Sequence, residues 1–66
     1  MAKVRAKNNT RILMEDGRYS NFIKGNEYRF LLKDNGVYLI DEDKMGFFTN
    51  IKTFEEEFDI IDSIEN

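Results

Sequence analysis

The side chains that could do chemistry in this chain are clustered acids, because it contains neither histidine nor cysteine. One acidic run is Asp41-Glu42-Asp43 and the other is Glu55-Glu56-Glu57. Carboxylates can act as general acids or bases, but the usual imidazole base and thiol nucleophile are absent. The four glycines are dispersed and form no phosphate-binding loop. We therefore expect no enzymatic activity and no catalytic residue.

The first acidic run invites comparison with a calcium loop, in which acids at positions 1, 3 and 5 precede a glycine at position 6. Asp41, Asp43 and Gly46 fit positions 1, 3 and 6 of that pattern. Position 5 is Met45, however, and position 12, where a bidentate glutamate belongs, is Lys52. The match fails, so we predict a solvated turn here, with no metal site and no cofactor.

Two groups of residues are suited to binding a partner. Residues 8–21 begin with a turn cluster and contain Asp16-Gly17, a hairpin-type turn, so they read as a long hairpin-like excursion. Long loops are common places for function, and arginine with tyrosine is common in binding hot spots. The second acidic run has only Lys52 as a nearby counter-charge and could form an acidic docking face. The candidate partner-binding residues are Arg11, Arg18, Tyr19, Glu55, Glu56 and Glu57.

Charge is distributed unevenly along the chain. Residues 1–33 carry eight basic and three acidic side chains, whereas residues 34–66 carry two basic and ten acidic ones. The net charge is −3. Such asymmetry is typical of a charged binding face, and it also arises when two halves of a domain pack together and neutralise each other. Both interpretations are open from the sequence, and the second is favoured.

The basic residues near the N-terminus predict a strand. Lys3, Arg5 and Lys7 alternate with Val4 and Ala6, which should point inward. The basic side chains would then stand roughly 7 Å apart and could follow a nucleic-acid backbone. The favoured interpretation is an edge strand protected by charge.

A tight hairpin is encoded in residues 27–40. Two runs of aromatic and branched residues flank Asp34-Asn35-Gly36, a strong hairpin signal. A loop of Asn35-Gly36 alone would bring Asp41 opposite Phe30. A three-residue loop, with Gly36 left-handed, instead pairs Phe30 with Ile40 and Leu32 with Tyr38. We predict the three-residue loop, since it keeps one face apolar.

Two structures compete for the C-terminal stretch. Thr53 and Glu56 make a capping-box signature, and a helix from Thr53 to about Ile64 would place its phenylalanines on one face. The alternative is one helical turn over residues 53–57 followed by a strand, Phe58-Asp59-Ile60-Ile61. We predict the turn and strand, because adjacent branched isoleucines favour a strand.

The chain is near the lower size limit for a domain with a single core. Its 66 residues include six phenylalanines and three tyrosines, which must supply most of the apolar burial. We predict one domain over residues 1–66, with an ordered core of about 2–62. The predicted core residues are Val4, Ile12, Phe22, Tyr28, Phe30, Leu32, Tyr38, Ile40, Phe47, Phe54, Phe58 and Ile61.

The order of these elements resembles that of a small SH3-like barrel. The likeness depends on Phe22-Ile23-Lys24-Gly25-Asn26 as the turn into the second strand, and on Gly46-Phe47-Phe48-Thr49-Asn50 before the helical turn. The chain is similar to small SH3-like proteins encoded by bacteriophages and prophages. That resemblance implies an all-β fold of five to six short antiparallel strands, with the closing strand beside the first strand.

The chain departs from the eukaryotic SH3 pattern in its peptide groove. It has no tryptophan, and Thr49 follows Phe48 where that family usually has a proline. Recognition of proline-rich peptides is therefore not expected.

Three functions follow as hypotheses. The first is a protein-binding module, of the kind a phage uses to inhibit or modulate a host protein, including a defence protein. The second is a nucleic-acid-binding barrel that uses Lys3, Arg5, Lys7, Arg11 and Arg18. The third is a self-assembling or ligand-sequestering protein. The sequence has no membrane-spanning run or leader, so we expect a cytoplasmic monomer or homodimer.

Overall fold

The computed structural model describes residues 2–62, which form seven strands and one short helix. This confirms an all-β fold with a short helix near the C-terminus. Seven strands are present where five to six were expected, because the excursion is itself a two-stranded ladder. The elements are β1 (Lys3–Ala6), β2 (Thr10–Leu13), β3 (Tyr19–Phe22), β4 (Glu27–Lys33), β5 (Gly36–Ile40), β6 (Gly46–Thr49), α1 (Ile51–Glu57) and β7 (Phe58–Asp62).

Five strands form one antiparallel sheet in the order β6-β5-β4-β1-β7, and β2 pairs with β3 in a separate sheet. The pairing of the closing strand with the first strand is confirmed. Arg5 lies opposite Asp59, and the Lys7 ammonium lies 3.6 Å from the Asp59 carboxylate. The basic N-terminal strand therefore lies beside an acidic one. Because β1 also pairs with β4 on its other side, it is an interior strand, and the predicted edge strand is wrong.

An aromatic cluster centred on Phe22 fills the space between the two sheets. The Phe22 ring meets those of Tyr28, Phe47 and Phe58 edge-on, with centroid distances of 4.9, 5.7 and 5.0 Å. Edge-to-face pairs at these distances are favourable beyond the area that they bury. Seven predicted core residues are buried, and Ile12 is partly buried against them. The seven are Val4, Phe22, Tyr28, Phe30, Phe47, Phe54 and Phe58.

The β4–β5 hairpin closes through the two-residue loop Asp34-Asn35, so the predicted three-residue loop is wrong, as is the Asn35-Gly36 alternative. Gly36 lies within β5 opposite Lys33, and its φ is not positive. The other pairs are Phe30 with Leu39, Leu31 with Tyr38 and Leu32 with Val37. Because side chains alternate along a strand, this register turns the smaller apolar residues of β5 inward and the tyrosine outward.

Four predicted core residues therefore lie elsewhere. Leu32 is 58% exposed near the hairpin loop, and Tyr38 lies on the outer face of the sheet. Ile40 is half-buried, and Ile61 is exposed where the register between β1 and β7 shifts. Their places are taken by Ala2, Ala6, Val37 and Leu39, all of which are buried.

The C-terminal stretch forms a short helix and then a strand, which confirms that prediction. The helix cap, however, is Asn50 and not Thr53: the Asn50 side chain accepts a hydrogen bond of 2.7 Å from the Thr53 N–H. Phe54 is the buried residue of α1, and its ring lies 5.1 Å from that of Phe30. Among residues 2–62, no helix has the length and hydropathy needed to cross a bilayer.

In the observed register Leu39 faces the core, whereas the predicted three-residue loop would place Leu32 there. The two registers therefore predict opposite effects of truncating these side chains. Leu39→Ala removes a fully buried side chain and should lower the free energy of unfolding by about 2–5 kcal/mol. Leu32→Ala, the matched control on the neighbouring strand, should change it by about 0.5 kcal/mol or less. Urea denaturation of both variants measures the difference. A larger loss for Leu32→Ala would contradict the observed pairing.

Candidate protein-docking surface

The turn between β5 and β6 is organised by Asp41, which is buried with 3% exposure. The expectation of a solvated acidic turn is thus wrong for this residue. Its carboxylate accepts hydrogen bonds from the Ser20 hydroxyl at 2.7 Å and from the backbone N–H groups of Asp43 and Met45, each at 2.9 Å. A buried carboxylate needs such donors, since the loss of hydration must be offset.

This network also fixes the backbone on both sides of the turn. The Lys44 N–H donates to the Asp41 carbonyl at 3.0 Å, and Lys44 adopts a left-handed conformation with φ of 66°. Such a φ is uncommon for a residue with a side chain and is imposed here by the surrounding hydrogen bonds. The turn therefore sets where β6 begins.

The second acid of this turn, Glu42, is held by hydrogen bonds from two residues at or next to the start of β4. Its carboxylate accepts hydrogen bonds from the Tyr28 hydroxyl and from the Asn26 amide. The bond from Tyr28 is the main reason that the pKa of Glu42 lies below its ordinary value. Burial of the phenol, reinforced by the same bond, raises the pKa of Tyr28. Both pKa shifts favour the state in which Tyr28 keeps its proton and donates a hydrogen bond to the ionised Glu42 carboxylate.

The outer face of the large sheet exposes a row of apolar side chains. Leu31, Tyr38 and Phe48 lie side by side on β4, β5 and β6, because Leu31 pairs with Tyr38 and Tyr38 pairs with Phe48. Tyr38 is 38% and Phe48 is 48% exposed. Directly opposed side chains on one sheet face lie about 4.5–5.5 Å apart at Cβ, so the row is continuous. We call these three residues the outer row.

Two glycines on the same face accommodate the aromatic rings. A Cβ at Gly36 would lie 2.5 Å from the Thr49 carbonyl oxygen and 2.6 Å from the Phe48 ring, and one at Gly46 would overlap the Tyr38 phenol. Each ring therefore leans diagonally across the sheet over a glycine on the adjacent strand. The rings lie along the sheet surface and present an apolar platform.

Basic side chains border the outer row. Arg29 and Lys33 flank Leu31 at alternate positions of β4 and are exposed on the same face. Lys3 lies opposite Arg29 on β1, and both line a cleft of about 420 Å³ together with Lys44. Within residues 2–62, no ion pair engages Arg29, Lys33 or Lys44. The margin of the platform is consequently cationic.

The predicted basic and aromatic residues lie on the β2–β3 hairpin. The Arg11 guanidinium lies 3.9 Å from the centre of the Tyr19 ring, so these two are brought together. Arg18 turns away to Asp16, with an N–O distance of 2.8 Å, and that hydrogen bond lowers the pKa of Asp16. Arg11 with Tyr19 thus forms one exposed pair, and Arg18 is engaged within its own turn.

The predicted acidic residues lie on α1, where their side chains separate. Glu57 is partly buried and accepts a hydrogen bond of 3.2 Å from the Thr10 hydroxyl at the start of β2. The Glu55 backbone carbonyl accepts from the Lys7 ammonium at 3.1 Å, and the Glu55 and Glu56 side chains are exposed. The acidic group therefore offers two exposed carboxylates and not three.

Sequence reasoning missed the outer row because it placed Tyr38 in the core and gave Phe48 no role. A signal was present in the glycines at positions 36 and 46, which are the first residues of β5 and β6. Glycine within a strand often marks a site where another group approaches closely. Here the approaching groups are the two aromatic rings.

No set of three or more potential ligand side chains within residues 2–62 could hold a metal ion. No protein-family model, curated protein or solved structure matches the chain. Function must therefore be argued from the surface chemistry.

The Tyr28–Glu42 hydrogen bond predicts a pH-dependent stability. The pKa of Glu42 is lowered in the fold, so its carboxylate stabilises the fold above the ordinary value of 4.5, and this contribution is lost as the pH falls through the folded value. In Tyr28→Phe, the Glu42 pKa should rise toward 4.5, as an NMR titration of its carboxyl carbon would show. The stability deficit of the variant should be largest near neutral pH and should narrow in acid.

Tyr19→Phe is the matched control for this measurement. The Tyr19 ring is exposed on the hairpin, and its hydroxyl makes no hydrogen bond to the described residues. The control should leave the Glu42 titration unchanged. An unchanged Glu42 pKa in Tyr28→Phe would contradict the assigned hydrogen bond.

Proposed function

We propose that this chain is a non-enzymatic protein-binding module that docks through the outer row, Leu31, Tyr38 and Phe48. The observation that carries the proposal is the exposure of two aromatic rings side by side on the sheet, each seated over a glycine. Contiguous apolar surface bordered by polar groups is typical of interaction sites on soluble proteins. Rings already held against the backbone also lose little conformational freedom on binding.

The chemistry of the margin favours a particular kind of partner. Protein interfaces commonly have an apolar centre rich in tyrosine and phenylalanine and a polar rim. The rim here carries Arg29 and Lys33, with Lys3 and Lys44 further out. A partner with an apolar patch bordered by acidic side chains would be complementary to this face.

The proposed biological setting is that of a small SH3-like barrel encoded by a phage or prophage, acting on a host protein in the bacterial cytoplasm. Inhibition or modulation of that protein, such as a defence component, fits an accessory role without catalysis. The order of the five-stranded sheet, with the first strand beside the closing strand, supports the SH3-like part of the proposal. The phage-like setting depends on the sequence resemblance alone.

Nucleic-acid binding through the basic N-terminal residues is less favoured by the geometry. Arg5 lies 3.2 Å from Glu27, Lys7 lies 3.6 Å from Asp59, and Arg18 lies 2.8 Å from Asp16. Three of the five expected phosphate-binding side chains thus face a carboxylate. Their charge is offset locally, which weakens attraction to a phosphate backbone.

The proposal predicts which variants lose a partner. The tagged chain would be used to capture proteins from a bacterial lysate, with Tyr38→Thr and Phe48→Thr compared with wild type. Central aromatic residues of an interface commonly contribute about 2 kcal/mol or more, so each variant should bind a specific partner roughly thirty-fold more weakly and retain less of it. Quantitative mass spectrometry of the bound fraction measures this.

Ile60→Thr is the matched control, because Ile60 is 55% exposed on β7, at the opposite edge of the sheet. It should retain the partner at the wild-type level. Thermal unfolding of all three variants establishes that they are folded. If both outer-row variants capture the same proteins as wild type, the proposed docking face is wrong.

The residues predicted from sequence define a competing test. Arg11/Arg18→Glu and Glu55/Glu56→Lys reverse the exposed charge of the hairpin and of α1, while exposed ion pairs contribute only about 0–1 kcal/mol to stability. Glu57 is left unchanged because it accepts a hydrogen bond from Thr10. Docking through the outer row predicts that both variants keep the partner with little change in affinity. A loss in either variant that exceeds the loss in Tyr38→Thr would assign docking to that charged group instead.

A further inference from the structure

The two edges of the five-stranded sheet differ in their protection. β7 carries Asp59 and Asp62, and its register with β1 shifts partway along, both of which discourage pairing with another strand. The other edge strand, β6, contains no charged residue, and its pairing with β5 is regular. The chain contains no proline that could block either edge. One edge is therefore guarded and the other is open.

The unpaired backbone groups of β6 can be identified from its ladder. The Asp41 N–H donates to the Met45 carbonyl at 2.8 Å, which makes this a hydrogen-bonded pair. Since such pairs alternate along an antiparallel ladder, Phe47 and Thr49 bond to β5, and Gly46 and Phe48 direct their N–H and C=O groups away from it. No backbone hydrogen bond joins Gly46 or Phe48 to another segment within residues 2–62.

A cleft lies directly beside this edge. It has a volume of about 400 Å³ and is walled by Phe47 and Phe48 on one side and by residues 12–16 of the β2–β3 hairpin on the other. Leu13 is exposed in this wall, next to the partly buried Ile12 and Met14. The free backbone groups therefore adjoin an apolar trough that is open to solvent.

We infer that β6 accepts an extended segment of a partner protein as an added β-strand, which lies in this cleft and hydrogen-bonds to the backbone of Gly46 and Phe48. The inference rests on the proposed protein-binding function and specifies how the partner is held. Strand addition takes affinity from main-chain hydrogen bonds and specificity from alternate side chains. One set of side chains would contact the Phe48 and Tyr38 rings, and the other would enter the trough beside Leu13.

The charge of the cleft further defines the segment that would occupy it. Glu15 lines the hairpin wall, and within the described residues no ion pair engages it. A lysine or arginine in the added segment would complement it. A second copy of this chain fits less well, because it would bring another hairpin and another Glu15 toward the same cleft. The occupant is therefore an extended segment with alternating apolar residues and a basic residue.

The test uses dodecapeptides of random sequence, selected on the full chain from a displayed library and then synthesised. Enriched peptides should alternate apolar residues and include a lysine or arginine. Amides of Gly46 and Phe48 should gain hydrogen-exchange protection in the complex. Methylation of alternate peptide nitrogens, which preserves the side chains but removes donors, should weaken binding at least tenfold for one of the two alternate sets.

Phe48→Pro and Phe48→Val form a matched pair. Both lack the ring, but only proline lacks the outward N–H, and the loss leaves the ladder with β5 intact. Phe48→Pro should bind a selected peptide at least tenfold more weakly than Phe48→Val. Thermal unfolding checks both variants, and if Phe48→Pro does not fold, the methylated peptides on the wild-type chain decide the result.

Three outcomes would overturn strand addition. The first is that no peptide is enriched. The second is that the two Phe48 variants bind a selected peptide equally and the wild-type chain binds every methylated peptide as tightly as the unmethylated one. The third is that the wild-type chain forms a stable dimer in sedimentation and Phe48→Pro dissociates it. The last would assign β6 to a second copy. One further result would concern the added strand alone. If a captured partner depends on Tyr38 and Phe48 but binds Phe48→Pro and Phe48→Val equally, the proposed docking face stands and only strand addition is wrong.

Discussion

The Asp41 carboxylate, at the end of β5, connects that strand with β3 and with the start of β6, and these segments surround the candidate site. Buried without a cationic partner among its hydrogen bonds, it must be satisfied by donors, and it obtains them from Ser20 of β3 and from the backbone of its own turn. The Glu42 N–H also donates to the Asn21 carbonyl of β3 at 2.9 Å. The same hydrogen bonds therefore fix the start of β6 and hold the hairpin beside it, and both walls of the cleft depend on them.

The glycines that begin β5 and β6 leave space for the rings of the outer row. At Gly36 the space of a side chain is taken by the Phe48 ring and by the Thr49 carbonyl oxygen, and at Gly46 it is taken by the Tyr38 phenol. A side chain at either position would push the neighbouring ring away from the sheet. The two glycines therefore allow both exposed rings to lie close to the backbone, where they form a continuous apolar surface.

Much of the fold follows from local patterns, whereas the site depends on contacts between distant residues. Phe22, Phe30 and Phe54 are buried as predicted because large aromatic side chains dominate the core of a small domain. The hairpin register could not be predicted from Asp34-Asn35-Gly36, because the turn chemistry permits several loops and the observed one is the one that buries Val37 and Leu39 against distant parts of the chain. Burial of Asp41 likewise depends on Ser20, which is 21 residues away.

The uneven charge of the chain persists in the folded molecule as a difference between two surfaces. Lys7 and Asp59 form an ion pair that joins the two halves of the chain. Arg29 and Lys33 remain beside the outer row, while Glu55 and Glu56 remain on α1, which packs on the core side of the sheet through Phe54. Exposed charges contribute little to stability, but they govern the rate and orientation of encounter. Under the proposed function, a partner with an acidic margin would therefore be drawn to the outer row and repelled from α1, so that charge would select the face and the exposed rings would hold the partner there.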